Sequence, residues 1–310
     1  MIPKRAALIS AAALVLGAVS VPQATAAPFG LVGWATQGGG TTGGGSATPV
    51  TVTTASAFAA AVQSSSPAVV RVSGTISLSS MTKVASNKTI EGVGSSAAIT
   101  GEGLNISKVS NVIVRNLNFR SWGDDAINVQ YSTRVWVDHN TFSNGYDGAV
   151  DVKRASDYVT VSWNKFTSHN KTMLLGHSDG NGSEDRGKLR VTYHHNWFDG
   201  TQQRHPRVRF GNPVHVYNNY YGGVTDYGVA STVEAGVLVE GNYFENTEDP
   251  FHRGEGSSSG GSLVARDNHF VNSGTGDQGG SVKSIPYSYP LDSASSVKSV
   301  VTAGAGAGRG

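Results

Sequence analysis

Two groups of charged side chains stand out in a chain with only 15% charged residues. The first is acidic. Asp124 and Asp125 lie in WGDDAINV, and Asp147 and Asp151 lie in YDGAVDVK. Asp125 and Asp151 are 26 residues apart, and both are read as immediately preceding a strand, AINV and VDVK. Converging carboxylates repel one another unless a cation sits between them. Oxygen ligands without His or Cys favour Ca²⁺ over zinc or copper. A solvated acidic edge is the plainer alternative. The second group is basic, with Lys171 upstream and Arg204, Arg207 and Arg209 in GTQQRHPRVRFGN. Guanidinium forks recognise carboxylates in bidentate fashion. His194 and His195 in HHN are not expected to share a metal, because neighbours on a strand point to opposite faces.

Positioning these groups falls to a repeat, V-x-V-x-x-N-x-(F/Y). It reads VWVDHNTF at 135–142, VTVSWNKF at 159–166, VTYHHNWF at 191–198, VHVYNNYY at 214–221, VLVEGNYF at 237–244 and LVARDNHF at 263–270. VIVRNLNF at 112–119 fits except for Leu117 at the Asn position. The aligned residues Asn140, Asn164, Asn196, Asn219, Asn242 and Asn268 are spaced 24, 32, 23, 23 and 26 apart. Short alternating strands at such a period predict one coil of a parallel β-helix per repeat. Alternate valines point inward. The Asn falls where the strand must turn, is expected to accept left-handed backbone angles, and can bond the Asn above and below. The aromatic residue then re-enters the core and stacks on its neighbours. An antiparallel sandwich would have no reason to keep Asn and aromatic in fixed register. The spacing of 32 marks a loop inserted around GHSDGNGSEDRGK, where solenoids commonly build a binding face. Successive coils would then align Asp125, Asp151, Lys171 and Arg204 in one groove, which suits an anionic polymer.

Open coil ends need covers. ASAFAAAVQ at 55–63 is expected to be a capping helix with Phe58 and Val62 on one face. Residues 284–310 are expected to pack back on the body, with the final GAGAGRG mobile. QGGGTTGGGS at 37–46 belongs to a loop-rich N-terminal segment.

The bulk numbers restrict the partners. Residues 1–26 carry Lys4 and Arg5, an apolar run and Ala24-Thr25-Ala26, the pattern of a secretory signal peptide cut after Ala26. Residues 27–310 are then one domain. Without Lys4 and Arg5, basic and acidic residues balance at 22 each. Bulk attraction to nucleic acid or membrane is therefore unsupported. Cysteine is absent, so a secreted chain must rely on its core or on metal.

With these motifs in order, the chain resembles the pectate lyases of polysaccharide lyase family 1, small extracellular bacterial forms in particular. VWVDHN at 135–140, AVDVKRASDYVTVSWN at 149–164 and RHPRVR at 204–209 carry the likeness. The resemblance implies an all-β, right-handed parallel β-helix, acting outside the cell as a monomer. It implies Ca²⁺-dependent β-elimination on de-esterified homogalacturonan (polygalacturonate), leaving 4,5-unsaturated oligogalacturonides. It implies Arg204 as catalytic base, Lys171 and Arg209 as substrate-binding residues, and Asp125, Asp147 and Asp151 as calcium ligands. Lys153 lines up with a lysine near that site. Some relatives have Glu at the place of Asp147 and an additional Asp at the place of Gly123, where Asp124 stands next door. Pectin lyases carry Arg in place of Asp151. An arginine base implies an alkaline optimum. The main rival is a β-helical hydrolase, which would need an acid–base carboxylate pair facing water. Asp138 and His139 are expected to bond structurally. Arg207 has no assigned role.

Overall fold

Alternation of apolar and polar residues over four to six positions, interrupted at each Asn, folds this chain into three parallel sheets that wind around one core. The computed structural model describes Met1 and residues 29–310. Apart from Met1, the segment expected to be a signal peptide lies outside the described residues. Sheet I has ten strands, running in sequence order from Val50–Val52 to Ser262–Arg266. Sheet II has nine, from Thr75–Ser77 to His269–Val271, and sheet III has eight, from Thr82–Lys83 to Phe251–Arg253. Each strand pairs in parallel with its counterpart one coil away, so the expected parallel β-helix is the observed fold. Residues Leu31–Gly310 form one compact unit. Among the described residues no helix is long and apolar enough to cross a membrane.

The repeat accounts for the corner between sheets I and II. Asn140, Asn164, Asn196, Asn219 and Asn242 are all fully buried. In each step the Oδ1 of one Asn accepts both the backbone N–H and the Nδ2 of the Asn one coil earlier, at 2.9–3.1 Å. Each Nδ2 also donates to a carbonyl of sheet I, as from Asn196 to Val161 at 2.9 Å. Buried amides so paired avoid the cost of an unmet polar group. The ladder starts at Leu117, whose own N–H donates to Asn140 at 3.1 Å.

One expectation at this corner is corrected. The left-handed backbone belongs to the residue before each Asn. His139, Trp163, His195, Asn218, Gly241 and Asp267 have φ between 49° and 62°, and the ladder asparagines do not. A single left-handed residue turns the chain from sheet I into sheet II, and this frees the Asn side chain to point inward. Two residues on, the aromatic rings stack in the core as expected. Phe119, Phe142, Phe166 and Phe198 follow at centroid distances of 5.0–5.3 Å, and Tyr221, Phe244 and Phe270 continue the column.

The first coils are covered. The helix Ala55–Gln63 starts at Thr54, whose side chain accepts from Ala57 N–H, and buries Phe58 and Val62 against the first coils. The C-terminal segment packs back on the flank of the solenoid: Val297–Gly304 is a helix whose Val297 and Val301 pack on Trp197, Tyr220 and Tyr243 of sheet II. The expectation of a mobile GAGAGRG is corrected. Gly306 N donates to Trp163 O at 2.8 Å and Ala307 N to Thr141 Oγ1 at 3.0 Å, so side chains too small to block the approach let the tail lie flat on the coil. The glycine-rich N-terminal segment behaves similarly on sheet I. Trp34 and Ala35 donate their N–H groups to Thr192 and Thr160, and Gly33 leaves no room for a Cβ beside Thr192.

Candidate active site

Sheet III presents the charged groups on its outer face. Along its strands Ile127–Gln130, Val150–Lys153, Leu174–Leu175 and Arg207–Arg209, apolar residues such as Val129, Val152 and Val208 fill the core, while Asn128, Asp151, Lys153, Arg207 and Arg209 alternate with them on the outer side, Asn128 and Asp151 still largely covered. In the register Asn128 stands opposite Asp151, 23 residues on. Asp125 is therefore level with Gly148 rather than with Asp151, and Ala126 N–H accordingly bonds Gly148 O at 2.9 Å. The predicted stacking of Asp125 on Asp151 is corrected, because their spacing of 26 exceeds one coil of this sheet by three residues. Asp151 lies inside its strand.

The side chains nevertheless converge. Lys153 Nζ lies 2.7 Å from Asp125 Oδ2 and 3.6 Å from Asp151 Oδ2. Gly148 makes this possible, since a Cβ there would fall 2.2 Å from Asp151 Oδ1. Ligand oxygens of Asp124, Asp125 and Asp147 all lie within 4.8 Å of one another. The tightest carboxylate group thus contains two expected ligands, Asp125 and Asp147, together with Asp124. Asp151 stands across Lys153 from them, with Oδ1 accepting Leu174 N–H at 3.0 Å. A further acid was missed. Glu102, from the preceding coil, fills the space beside Gly123, where a Cβ would meet its Oε1 at 2.6 Å. Oxygen-only donors in this number fit a hard divalent cation.

Burial and crowding set the protonation. Burial, followed by the Asp125 charge, pushes the Asp151 carboxyl up to about 7 against the pull of Lys153, the Leu174 N–H and Arg204. Burial also raises Asp125, with Lys153 opposing and Asp124 and Asp147 adding to the rise. Burial alone would lower the Lys153 ammonium, but Asp151 and Asp125 outweigh it and hold it above the ordinary lysine value. Two buried carboxylates sharing one ammonium are short of positive charge.

Lys171 and Arg204 complete the cluster. Lys171 Nζ lies 3.2 Å from Asp147 Oδ1, and its backbone bridges to Gln203 in the next coil. Arg204 has φ of 65°, in the left-handed region that non-glycine residues rarely occupy. Its carbonyl accepts Met173 N–H at 2.8 Å. Its Nε is buried without a hydrogen-bond partner, and it has no salt-bridge partner among the described residues. The next residue, His205, is fully buried, with ring nitrogens 2.8 Å from Thr201 Oγ1 and Tyr227 O. It anchors the segment that carries Arg204.

Arg207 and Arg209 share the outer face of their strand while Val208 is buried, as the alternation predicts. Arg209 is held from the inserted loop, its Nε donating to Asp179 Oδ1 at 2.5 Å. Arg207 Nη2 donates to Glu255 O and to Ser258 Oγ, and that hydroxyl donates to the same Asp179 oxygen at 2.9 Å. Arg207 thus ties two loops together. The spacing of 32 flagged the insertion, but nothing in it singled out Asp179.

Asp138 and His139 form a structural network, with His139 Nδ1 at 2.6 Å from Asp138 Oδ2 and Ser162 Oγ donating to Asp138. The expectation that His194 and His195 point apart is corrected. Their Nδ1 atoms lie 2.9 Å apart, because the left-handed backbone at His195 breaks the strand alternation.

Residues 5–310 match the family described as pectate lyase. The chain is 42% identical over 262 residues to a probable pectate lyase A of Aspergillus fumigatus, covering 81% of this chain and 80% of that protein. It is 38% identical over 262 residues to the pectate trisaccharide-lyase of Bacillus licheniformis, covering 78% and 75% respectively. Among solved structures it is similar to a pectate lyase of Bacillus sp. N165 in complex with trigalacturonate. The TM-score is 0.83 at 33% identity, covering 90% of this chain and 99% of that one. The chain therefore belongs to the pectate lyase family and is a polysaccharide lyase.

Proposed function

We propose that the chain, as a single domain of residues 27–310 released from a signal peptide, cleaves de-esterified homogalacturonan outside the cell by calcium-dependent β-elimination. The observation that carries this reading is the meeting of the crowded carboxylates with Lys171 and an Arg204 that has no salt-bridge partner among the described residues, all on the outer face of sheet III. Asp125, Asp147 and Asp151, with Asp124 beside them, hold the ion. Calcium bound there would supply the positive charge that steadies the uronate carboxylate as its α-proton leaves. Arg204 takes the proton from C5, and the glycosidic oxygen at C4 departs, leaving the 4,5-double bond. Lys171 and Arg209 bind substrate carboxylates, with Asp179 fixing the guanidinium of Arg209. No hydrolytic water takes part.

The test is ultraviolet absorbance of unsaturated uronides released from polygalacturonate. Absorbance should rise with calcium, stop with EGTA and favour alkaline pH. Chain scission without absorbance would replace the elimination reading with hydrolysis. EGTA-insensitive absorbance would remove calcium from it. Export is checked by mass spectrometry of the culture-medium protein, which should begin at Ala27, and the monomer by its sedimentation.

A further inference from the structure

The outer column of sheet III that carries Asp151 does not end at the carboxylates. Asp151 pairs in register with Asn128, Asn128 with Asn105, and Asn105 with Lys83. Asn128 Nδ2 donates to Asn105 Oδ1 at 3.0 Å, so the column is polar and continuous. It opens into a cavity of about 500 Å³ lined by Gln63, Lys83, Asn105, Ser107 and Lys108 among others. Three rungs separate Lys83 from Asp151, about 14 Å at the ~4.8 Å spacing of neighbouring strands.

Lys83 and Lys108 are both exposed. Neither has a salt-bridge partner among the described residues, whereas Lys153, Lys165, Lys171 and Lys298 each pair with a carboxylate. The Lys108 ammonium lies 5.9 Å from the centre of the Tyr131 ring. Two uncompensated ammonium groups and three neutral polar side chains around one cavity, in line with an acidic centre, form a site for a repeating anion. The carboxylate centre alone would repel a polyuronate; cations further along the same face would attract its distant residues.

We propose that this cavity is a remote uronate-binding subsite, in which Lys83 and Lys108 pair with carboxylates of a long pectate chain whose reacting residues lie beside Arg204. The proposal rests on the function given above and extends it to chain-length preference. Short oligomers at the carboxylate centre do not reach the cavity.

The test compares wild type with Lys83→Ala, Lys83→Glu, Lys108→Asn and the double variant Lys83→Ala/Lys108→Asn, since Asn tolerates the φ of 59° at position 108. Binding of polygalacturonate and of trigalacturonate is measured by affinity electrophoresis and calorimetry, alongside the absorbance assay. Loss of both cations should weaken polymer binding about fivefold at low salt and less at high salt, with trimer binding unchanged. KM for the polymer should rise in step, with kcat unchanged. Unaltered polymer binding, or equal weakening for trimer and polymer, would overturn the subsite. Absence of unsaturated product from wild type would instead overturn the lyase reading, while the binding arm still decides the subsite. Melting temperatures confirm that the variants fold.

Discussion

At the corner between sheets I and II, each stacked Asn passes its amide to the next, and every partner is met. On the outer face of sheet III, Asp124, Asp125 and Asp147 crowd together, Asp151 is pushed up to about 7, and Arg204 keeps a buried Nε unpaired. The same coils supply both faces. One repeats a single residue and satisfies it completely. The other changes residue type at the carboxylate centre and leaves like charges crowded there. A solenoid gains stability from the first arrangement, because identical neighbours one strand spacing apart are natural hydrogen-bond partners. It can tolerate the second only because the first holds the coil in place.

This contrast can be broken from either side. The largest effect is expected at the frustrated face. Arg204→Lys should lower kcat by about 10²–10⁴, the usual contribution of a positioned base, while leaving the melting temperature nearly unchanged. A large drop in melting temperature would mean that Arg204 serves the fold. The converse change is Asn196→Ala, which strips the acceptor from both amide groups of Asn164 and the donor from Val161 O. Denaturant unfolding should show a loss of about 2–5 kcal/mol, with activity retained at low temperature.

Acid should sharpen the contrast next. Burial lowers His205 from 6.5 to about 3. The unfolded chain therefore binds the proton first. The stabilisation is complete above pH 6.5 and is lost as pH falls toward 3, at up to ~1.4 kcal/mol per unit. Unfolding midpoints measured between pH 7 and 4 should fall accordingly, and His205→Asn should flatten that slope. The smallest effect is expected from Asp179→Asn, which loosens Arg209 without removing it. Polygalacturonate KM should rise about threefold with little change in stability, as for a half-exposed ion pair.

The fold was legible because its determinants are local and repeated. V-x-V-x-x-N-x-F states the inward valines, the turn and the stacked ring within eight residues, and the next coil repeats the statement. The helix at Ala55–Gln63 was legible for the same reason. The left-handed residue was misplaced by one position because Asn tolerates that conformation generally, whereas here its amide is needed inside. The site was legible in its residue types but not in its register. Counting 26 residues from Asp125 to Asp151 does not reveal that sheet III advances by 23 at this point. Glu102 and Asp179 escaped notice because one stands beside Gly123 from the preceding coil and the other reaches Arg209 from the inserted loop. Approaches of that kind leave no local pattern.

The asparagine ladder also divides the chain into parts that can and cannot change length. From each sheet I strand to its aromatic residue the count is invariant, because one added residue would shift an amide out of line with both neighbours. All variation in the spacings of 23, 24, 26 and 32 is absorbed on the far side of the coil, around sheet III. The molecule thus works as a fixed spine with an adjustable rim. New loops placed at that rim, as between Leu175 and Val191, could reshape what binds there without renegotiating the fold.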